Sequence, residues 1–387
     1  MKNRKLLMIP GPIEVDPSVL RAMGEVTTSH VAPNFIESFG NSIELMRKIW
    51  LAPNGQPFIV AGSGTLAMDM AVSNLLEPGD NALVISTGYF GERYKNILAT
   101  YGANVTVLQA EIGEIVSLDK IKEELSSKNY KLVTITHVDT STGVLTDPKS
   151  VVDIAKKYDT LTVLDGVCAT AGESTPQEAW EIDVVLTGSQ KAIGVPPGLA
   201  LLVVSEKAMT VWKNRKTPVQ NYYGSFTNWL PIMEAYEERR PSYFGTPPVN
   251  LIRALEVSLN LINTEGIEKR VESHLIYAKA FRKAIQKIGL QLVPKREEIA
   301  ANTMSAIFYP EGIDGNQFRK DISEYGVILA GGLHSEIKTQ YFRVGHMGAI
   351  NKSDIVATLS AIEFALAKQN YSFTLGESIG TFLENLR

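Results

Sequence analysis

Seven short apolar runs, separated by amphipathic stretches, constrain this chain more than any other feature of its sequence. The runs lie at 57–61, 82–86, 105–109, 132–137, 161–165, 183–187 and 199–204, and most are rich in valine, isoleucine and leucine. Helical patterns occupy 65–76, 92–101, 118–126 and 149–158, with turn signals such as Glu77-Pro78-Gly79-Asp80 between elements. Near-continuous apolar strands alternating with helices specify an α/β fold whose mostly parallel, seven-stranded sheet is covered on both faces. In such sheets ligands gather at the carboxyl ends of the strands.

The pattern changes around 241–248, where proline and glycine cluster. Beyond it Ile252, Leu255, Leu259 and Ile262 share one helix face, and a long helical stretch covers 266–289. A strand at 304–309, a helix at 316–325 and strands at 327–329 and 341–344 follow. A last helix carries Ile355, Leu359, Ile362 and Leu366 on one stripe. The expected organisation is an N-terminal arm (1–15), a large domain (16–265) and a smaller C-terminal α/β domain (266–387). The tail from 371 reads as a cover or a surface helix.

Composition narrows the function. The 387 residues carry 38 basic and 42 acidic side chains, with no long basic stretch, which argues against nucleic acid as a partner. No apolar run approaches the roughly 20 residues of a membrane span, and the short N-terminal one is stopped by Pro10-Gly11-Pro12. A cytoplasmic enzyme that does not bind membranes is expected. Cys168 is the single cysteine, so no internal disulfide or multi-cysteine metal site can form, and no metal is expected.

Four segments at strand ends hold the chemistry-bearing residues. Gly62-Ser63-Gly64-Thr65 opens a helix, where free N–H groups and the helix dipole favour an anion such as phosphate; a plain tight turn is the other reading. Asp165 ends an apolar strand, an expensive place for a carboxylate unless a cation meets it; a capping role is the bland alternative. Lys191 follows the next strand in Gly188-Ser189-Gln190-Lys191, a small-residue loop suited to an amine nucleophile, although most lysines are merely solvated. Phe90, in Thr87-Gly88-Tyr89-Phe90-Gly91, can stack on a ring or simply serve the core. Asp165 and Lys191 end successive strands and should share one sheet edge. A carboxylate for a pyridinium nitrogen and a lysine for an aldehyde are the needs of pyridoxal 5'-phosphate (PLP).

The ordered motifs extend along nearly the whole chain. They run from Pro10-Gly11-Pro12-Ile13-Glu14-Val15 through the four segments and Asp139-Thr140-Ser141-Thr142-Gly143. They end with Tyr243-Phe244-Gly245-Thr246-Pro247 and Phe342-Arg343-Val344-Gly345-His346-Met347-Gly348. This set resembles the class V aminotransferases of PLP-dependent transferase fold type I, closest to the alanine–glyoxylate and serine–pyruvate aminotransferase group. The resemblance implies that Lys191 carries the cofactor and that Asp165 partners its ring nitrogen. Ser63, Gly64, Thr65 and Gln190 would hold the phosphate. Phe90 would stack on the ring where many relatives have tryptophan, with Val167 on the opposite face and Thr140 near the ring hydroxyl. Arg343 would clamp the substrate carboxylate, and Gly11 would lie over the site. Tyr243 and Thr246 would reach the neighbouring subunit's cofactor in a homodimer, with Tyr222 and Tyr223 as further interface candidates. The implied reaction is transamination between a small amino acid, serine or alanine, and a small 2-oxo acid, pyruvate or glyoxylate. Phosphonate- and ureide-specific transaminases have similar cores.

Two other readings stand beside this one. A cysteine desulfurase shares the Asp–Lys pair but needs a thiol on a mobile loop, and Cys168 lies only three residues after Asp165. A non-catalytic subunit on the same fold is the second, and the intact set of Lys191, Asp165 and Arg343 speaks against it. His137 and His346 read as structural residues, while His30 and Asn34 fall in a segment lining the entrance.

Overall fold

The computed structural model describes residues 4–386. Its central sheet comprises β1 (Gln56–Ala61), β2 (Asn81–Ser86), β3 (Asn104–Gln109), β4 (Leu132–Thr136), β5 (Leu161–Asp165), β6 (Val184–Gly188) and β7 (Leu199–Val204). The strands lie in the order β1-β7-β6-β5-β4-β2-β3. All are parallel except β7, which runs antiparallel to both neighbours. The reason is length: the link 189–198 between β6 and β7 is too short for the dozen or more residues a parallel crossover requires. Since β7 is flanked on both sides, β1 regains the direction of β6. Ala61 therefore lies opposite Leu199, and Gly188 opposite Ala200, at the same edge. That edge collects the carboxyl ends of β1, β2, β4, β5 and β6.

The strands β4 to β7 are buried along their whole length, as a doubly covered sheet demands. Helices α1 (Pro33–Ile49), α2 (Gly64–Leu75), α3 (Tyr89–Thr100), α4 (Leu118–Ser127), α5 (Pro148–Lys156), α6 (Phe226–Glu237) and α7 (Val249–Glu265) surround it. A second body begins with α8 (Ile267–Lys287). It adds an antiparallel sheet of β8 (Met304–Phe308), β9 (Ala330–Gly331) and β10 (Tyr341–Gly345), in the order β8-β10-β9, and α9 (Lys352–Lys368). Many of its apolar side chains, among them Phe281, Phe318, Phe342 and Leu359, form a second cluster, while Met304, Ala306 and Tyr341 join the one around the large sheet.

Several boundaries differ from the sequence expectations. The run 132–137 ends as a strand at Thr136, and Val138–Asp139 pairs instead with Val144–Leu145 in a hairpin. Helix α3 starts at Tyr89 rather than at 92, which puts Phe90 in its first turn. The segment 327–329 gives only Val327–Ile328, paired in parallel with Leu6–Leu7, while β9 was not foreseen. Helices α1 and α6 were also missed, although Phe35, Phe39, Ile43 and Met46 have helical spacing behind Pro33.

The N-terminal arm does not float. Leu6 and Met8 donate to the carbonyls of Gly326 and Ile328, Gly345 donates to the carbonyl of Met8, and Met8 is buried in the second core. The tail helix Glu377–Glu384 packs on α8, held by Glu363. Glu363 accepts from Ser378 N at 2.9 Å, Ser378 Oγ at 2.5 Å and Gly376 N at 2.6 Å. Glu363→Ala strands three donors at this helix start. It should lower unfolding stability by about 1–3 kcal/mol in urea titration, with turnover retained.

Candidate active site

Asp165 and Lys191 come together at the sheet edge as the strand order requires. Asp165, the last residue of β5, is 2% exposed. Its Oδ1 accepts from Val167 N at 2.9 Å, and among the described residues Oδ2 has no hydrogen-bond donor. Burial pushes its pKa up to about 6, against the Val167 N–H and the nearby Lys191 and Arg93 charges, which lower it. Lys191 is 6% exposed, on the tight β6–β7 link. Gly194 N donates to the Lys191 carbonyl at 2.7 Å, and Ser189 Oγ donates to the Pro196 carbonyl at 2.7 Å, so the backbone that carries the amine is fixed. Burial pushes the Lys191 pKa below the usual lysine range, and the Arg343 charge adds to the effect.

The arm crosses above this pair. Lys191 Nζ donates to the Pro10 carbonyl, and Ile13 N donates to the Gln190 carbonyl at 3.3 Å. Gly11 has φ +102°, and a Cβ placed there would lie 2.6–2.9 Å from the end of the Lys191 side chain. Only glycine tolerates that backbone and that approach. Gly345 has the same constraint from the other side, since its Cβ would meet the Ile9 carbonyl at 2.3 Å.

The Gly62–Thr65 turn opens α2 with Ser63 as N-cap, making no side-chain capping bond. Gly64 faces Val167, whose Cγ2 lies 2.7 Å from the position of an added Cβ. Gln190 Oε1 and Gly64 N both lie within 3.1 Å of the Cβ position at Gly188, so Gln190 reaches the turn across that glycine. Phe90 lies beside this group on α3, in edge contact with Tyr89.

Arg343, on β10, points across to the large body. Its Nε donates to the Gly331 carbonyl at 2.8 Å and Nη1 to the Thr140 carbonyl at 3.1 Å; Nη2 has no partner among the described residues. The structure thus gathers Gly11, Ser63, Gly64, Thr65, Phe90, Thr140, Asp165, Val167, Gln190, Lys191 and Arg343 around one edge. Tyr243 and Thr246 do not join them. Both are exposed, Tyr243 by 63%, on the loop before α7, with the Tyr243 ring against His30.

Residues missed by the sequence reading explain why the site holds its shape. Asp139 is fully buried and accepts from Ser141 N at 2.9 Å and Phe90 N at 3.0 Å, while Ser141 Oγ accepts from Tyr89 N at 3.0 Å. Together they cap α3 from a distant loop and set Phe90. Tyr94 lies on the same helix, with a buried hydroxyl that has no hydrogen-bond partner among the described residues. Burial, then the Asp165 charge, pushes its pKa up. His137 is buried beside the end of β5. Its N–H bonds the Asp165 carbonyl at 3.0 Å, and burial holds its ring near a pKa of about 4, hence neutral. His346 is likewise buried, with Nε2 3.0 Å from Ser305 Oγ. His30 gives its carbonyl to the Tyr236 hydroxyl, and Asn34 falls in the first turn of α1.

A buried carboxylate beside a buried amine, capped by a backbone strap and approached by an arginine, suits amino-group chemistry on a carboxylic acid substrate. The comparisons agree. The family model for class V aminotransferases matches residues 18–355. The chain is 38% identical to an uncharacterized aminotransferase of Methanocaldococcus jannaschii, over 95% of this chain and 94% of the relative. It is also 38% identical to alanine–glyoxylate aminotransferase 1 of Saccharomyces cerevisiae, over 91% of this chain and 94% of the relative. The solved alanine–glyoxylate aminotransferase from Nostoc sp. superposes with a TM-score of 0.89 at 30% identity, covering 95% of this chain and 96% of that one. The chain belongs to the class V aminotransferases and is an enzyme that transfers amino groups.

Among the described residues no helix is long and apolar enough to cross a membrane. In the ligand-free chain the raised Asp165 pKa is a stability cost. The native state holds the proton up to about pH 6 whereas a free aspartate releases it near 3.8, so ionisation above that range destabilises the fold. Asp165→Asn should therefore stabilise the ligand-free chain by about 3 kcal/mol at pH 8, and the gain should vanish below pH 4. Urea unfolding at the two pH values measures it.

Proposed function

We propose that this chain is a PLP-dependent aminotransferase that passes the amino group of a small amino acid, alanine or serine, to glyoxylate or pyruvate, acting as a homodimer. The carrying observation is the pair at the sheet edge: a buried Asp165 with one carboxylate oxygen unengaged, beside a buried Lys191 whose amine is biased toward its neutral, nucleophilic form. The alanine–glyoxylate relatives support the choice of substrates.

The residues present fit the cofactor. PLP supplies an aldehyde and an electron-accepting pyridinium ring when bound. Asp165 Oδ2 would accept from the ring N–H, and a cation there would offset the desolvation cost that the carboxylate bears alone. Ser63, Gly64 and Thr65, at the uncapped start of α2, and Gln190 beside them offer donors for a phosphate. Phe90 and Val167 supply apolar faces for the ring, and Thr140 a hydroxyl for its oxygen substituent. Lys191 would be the attachment point, and its free amine would be the base that takes the proton from the substrate Cα, holding it as an ammonium that would then deliver it to the carbon that began as the cofactor aldehyde. Pro10 holds that amine from above, and Gly11 leaves room for the substrate beneath the strap. Arg343 keeps Nη2 for the substrate carboxylate, with its other donors anchored on Gly331 and Thr140.

The domain reading is a large unit, 16–265, that carries Asp165 and Lys191 and a small one, 266–387, that delivers Arg343, with 1–15 as an arm. The two apolar clusters support this division. The exposure of Tyr243 and Thr246 supports their use in a second subunit's site. Cys168 is 1% exposed with Sγ 3.8 Å from Thr303 Oγ1, a placement that speaks against a mobile desulfurase thiol.

Lys191→Ala should abolish turnover and leave no borohydride-trapped cofactor on the chain; an active variant sinks the mechanism. Arg343→Ala should raise KM for both amino and 2-oxo acids by about 100-fold while PLP affinity stays within about twofold. Equal loss of substrate and cofactor binding contradicts the role. Adding single amino donors one at a time, and following the cofactor absorbance, identifies the donor.

A further inference from the structure

Arg93 is the charged residue beside the site to which neither the sequence motifs nor the reading above gives a task. It stands in α3, one turn after Phe90, and its guanidinium carbon lies 4.8 Å from the Phe90 ring centroid. Nη1 donates at 2.7 Å to Thr65 Oγ1, in the first turn of α2. This is its only hydrogen bond among the described residues, and no carboxylate pairs with it there. An arginine held at the uncapped start of a helix, with the rest of its fork unspent, is placed for an anion.

The charges divide along the site. Arg343 bears on Lys191; Lys191 meets the strap at Pro10, and Arg343 is anchored on Gly331 of the small-body sheet and on the Thr140 carbonyl. Arg93 bears on Asp165 and is anchored on the α2 turn at the other end. A phosphate monoester carries about −1.5 to −2 at neutral pH, whereas a helix N-terminus offers about half a positive charge. Ser63, Thr65 and Gln190 add dipoles but no cation. A dianion on that turn is left undercompensated without Arg93.

We propose that Arg93 is a positioning residue for the cofactor phosphate, closing the α2 turn over it with a charge-assisted fork while Thr65 and the helix start hold it from below. The proposal rests on the PLP reading above and deepens it.

The test compares PLP with pyridoxal, which keeps the ring and aldehyde but lacks the phosphate. Binding of each to cofactor-free protein is measured by fluorescence quenching in the parent, Arg93→Gln and Arg93→Lys. Arg93→Gln should weaken PLP by about 10- to 100-fold and leave pyridoxal within about twofold. Arg93→Lys should recover part of the loss. Inorganic phosphate should compete with PLP in the parent and compete less well in Arg93→Gln. Retained pyridoxal binding shows that the variant is folded. Equal weakening of PLP and pyridoxal means that Arg93 acts through the fold or the Phe90 face, and overturns the proposal. A parent chain that binds neither compound sinks the PLP reading, and the Arg93 role with it.

Discussion

The molecule places a carboxylate and an amine side by side at the edge of a sheet where water scarcely reaches either. Burial raises the Asp165 pKa to about 6 and lowers that of Lys191, so the charged form of each is disfavoured relative to water. Such a pair persists only if the surrounding structure prevents both groups from turning outward. Three devices do so: the short β6–β7 link fixes the Lys191 backbone, Val167 and His137 hold Asp165 from either side, and the 6–13 arm covers Lys191. The cofactor proposed for this site would relieve that tension, its pyridinium meeting Asp165 and its aldehyde meeting Lys191.

The antiparallel β7 is what makes the arrangement possible. A sheet of purely parallel strands would need a helical crossover after β6, and Lys191 would then sit at the start of a helix rather than in a tight return loop. Reversing one interior strand also turns β1 back into register, so that the Gly62–Thr65 turn and Lys191 open at the same edge. The Gly62–Thr65 turn, Asp165 and Lys191 therefore come from β1, β5 and β6, spatially close but distant in sequence. Arg343 enters from the second body, and the arm ties the two bodies together, since Met8 belongs to one core while Gly11 lies on the lysine of the other.

Much of this was legible before any coordinates. The seven strands fell where their apolar runs predicted, because a strand buried on both faces must be apolar throughout. Asp165 was conspicuous for the same reason, as an acid closing such a run at its carboxyl end. The cap on α3 was not legible: Asp139 and Ser141 act on Tyr89 and Phe90 about 50 residues away, and nothing local to Thr87–Gly91 announces where its acceptor lies. Arg93 escaped notice because an arginine in an amphipathic helix reads as solvated surface until Thr65 is seen beside it. Helices α1 and α6 were a different failure, since their apolar spacing was present and the strand–helix alternation drew attention past them.

The sequence by itself determined the fold class, the strand set and the identity of the chemistry-bearing pair, because burial periodicity and charge in an apolar run are local properties of the chain. Only the tertiary structure decided which groups meet: that the arm crosses Lys191, that Arg343 is anchored by Thr140, that a distant aspartate sets Phe90, and that Arg93 reaches Thr65 at the start of α2. Those contacts join residues far apart in the chain. Their cost in chain entropy is offset by the whole core rather than by any motif, and so no motif records them.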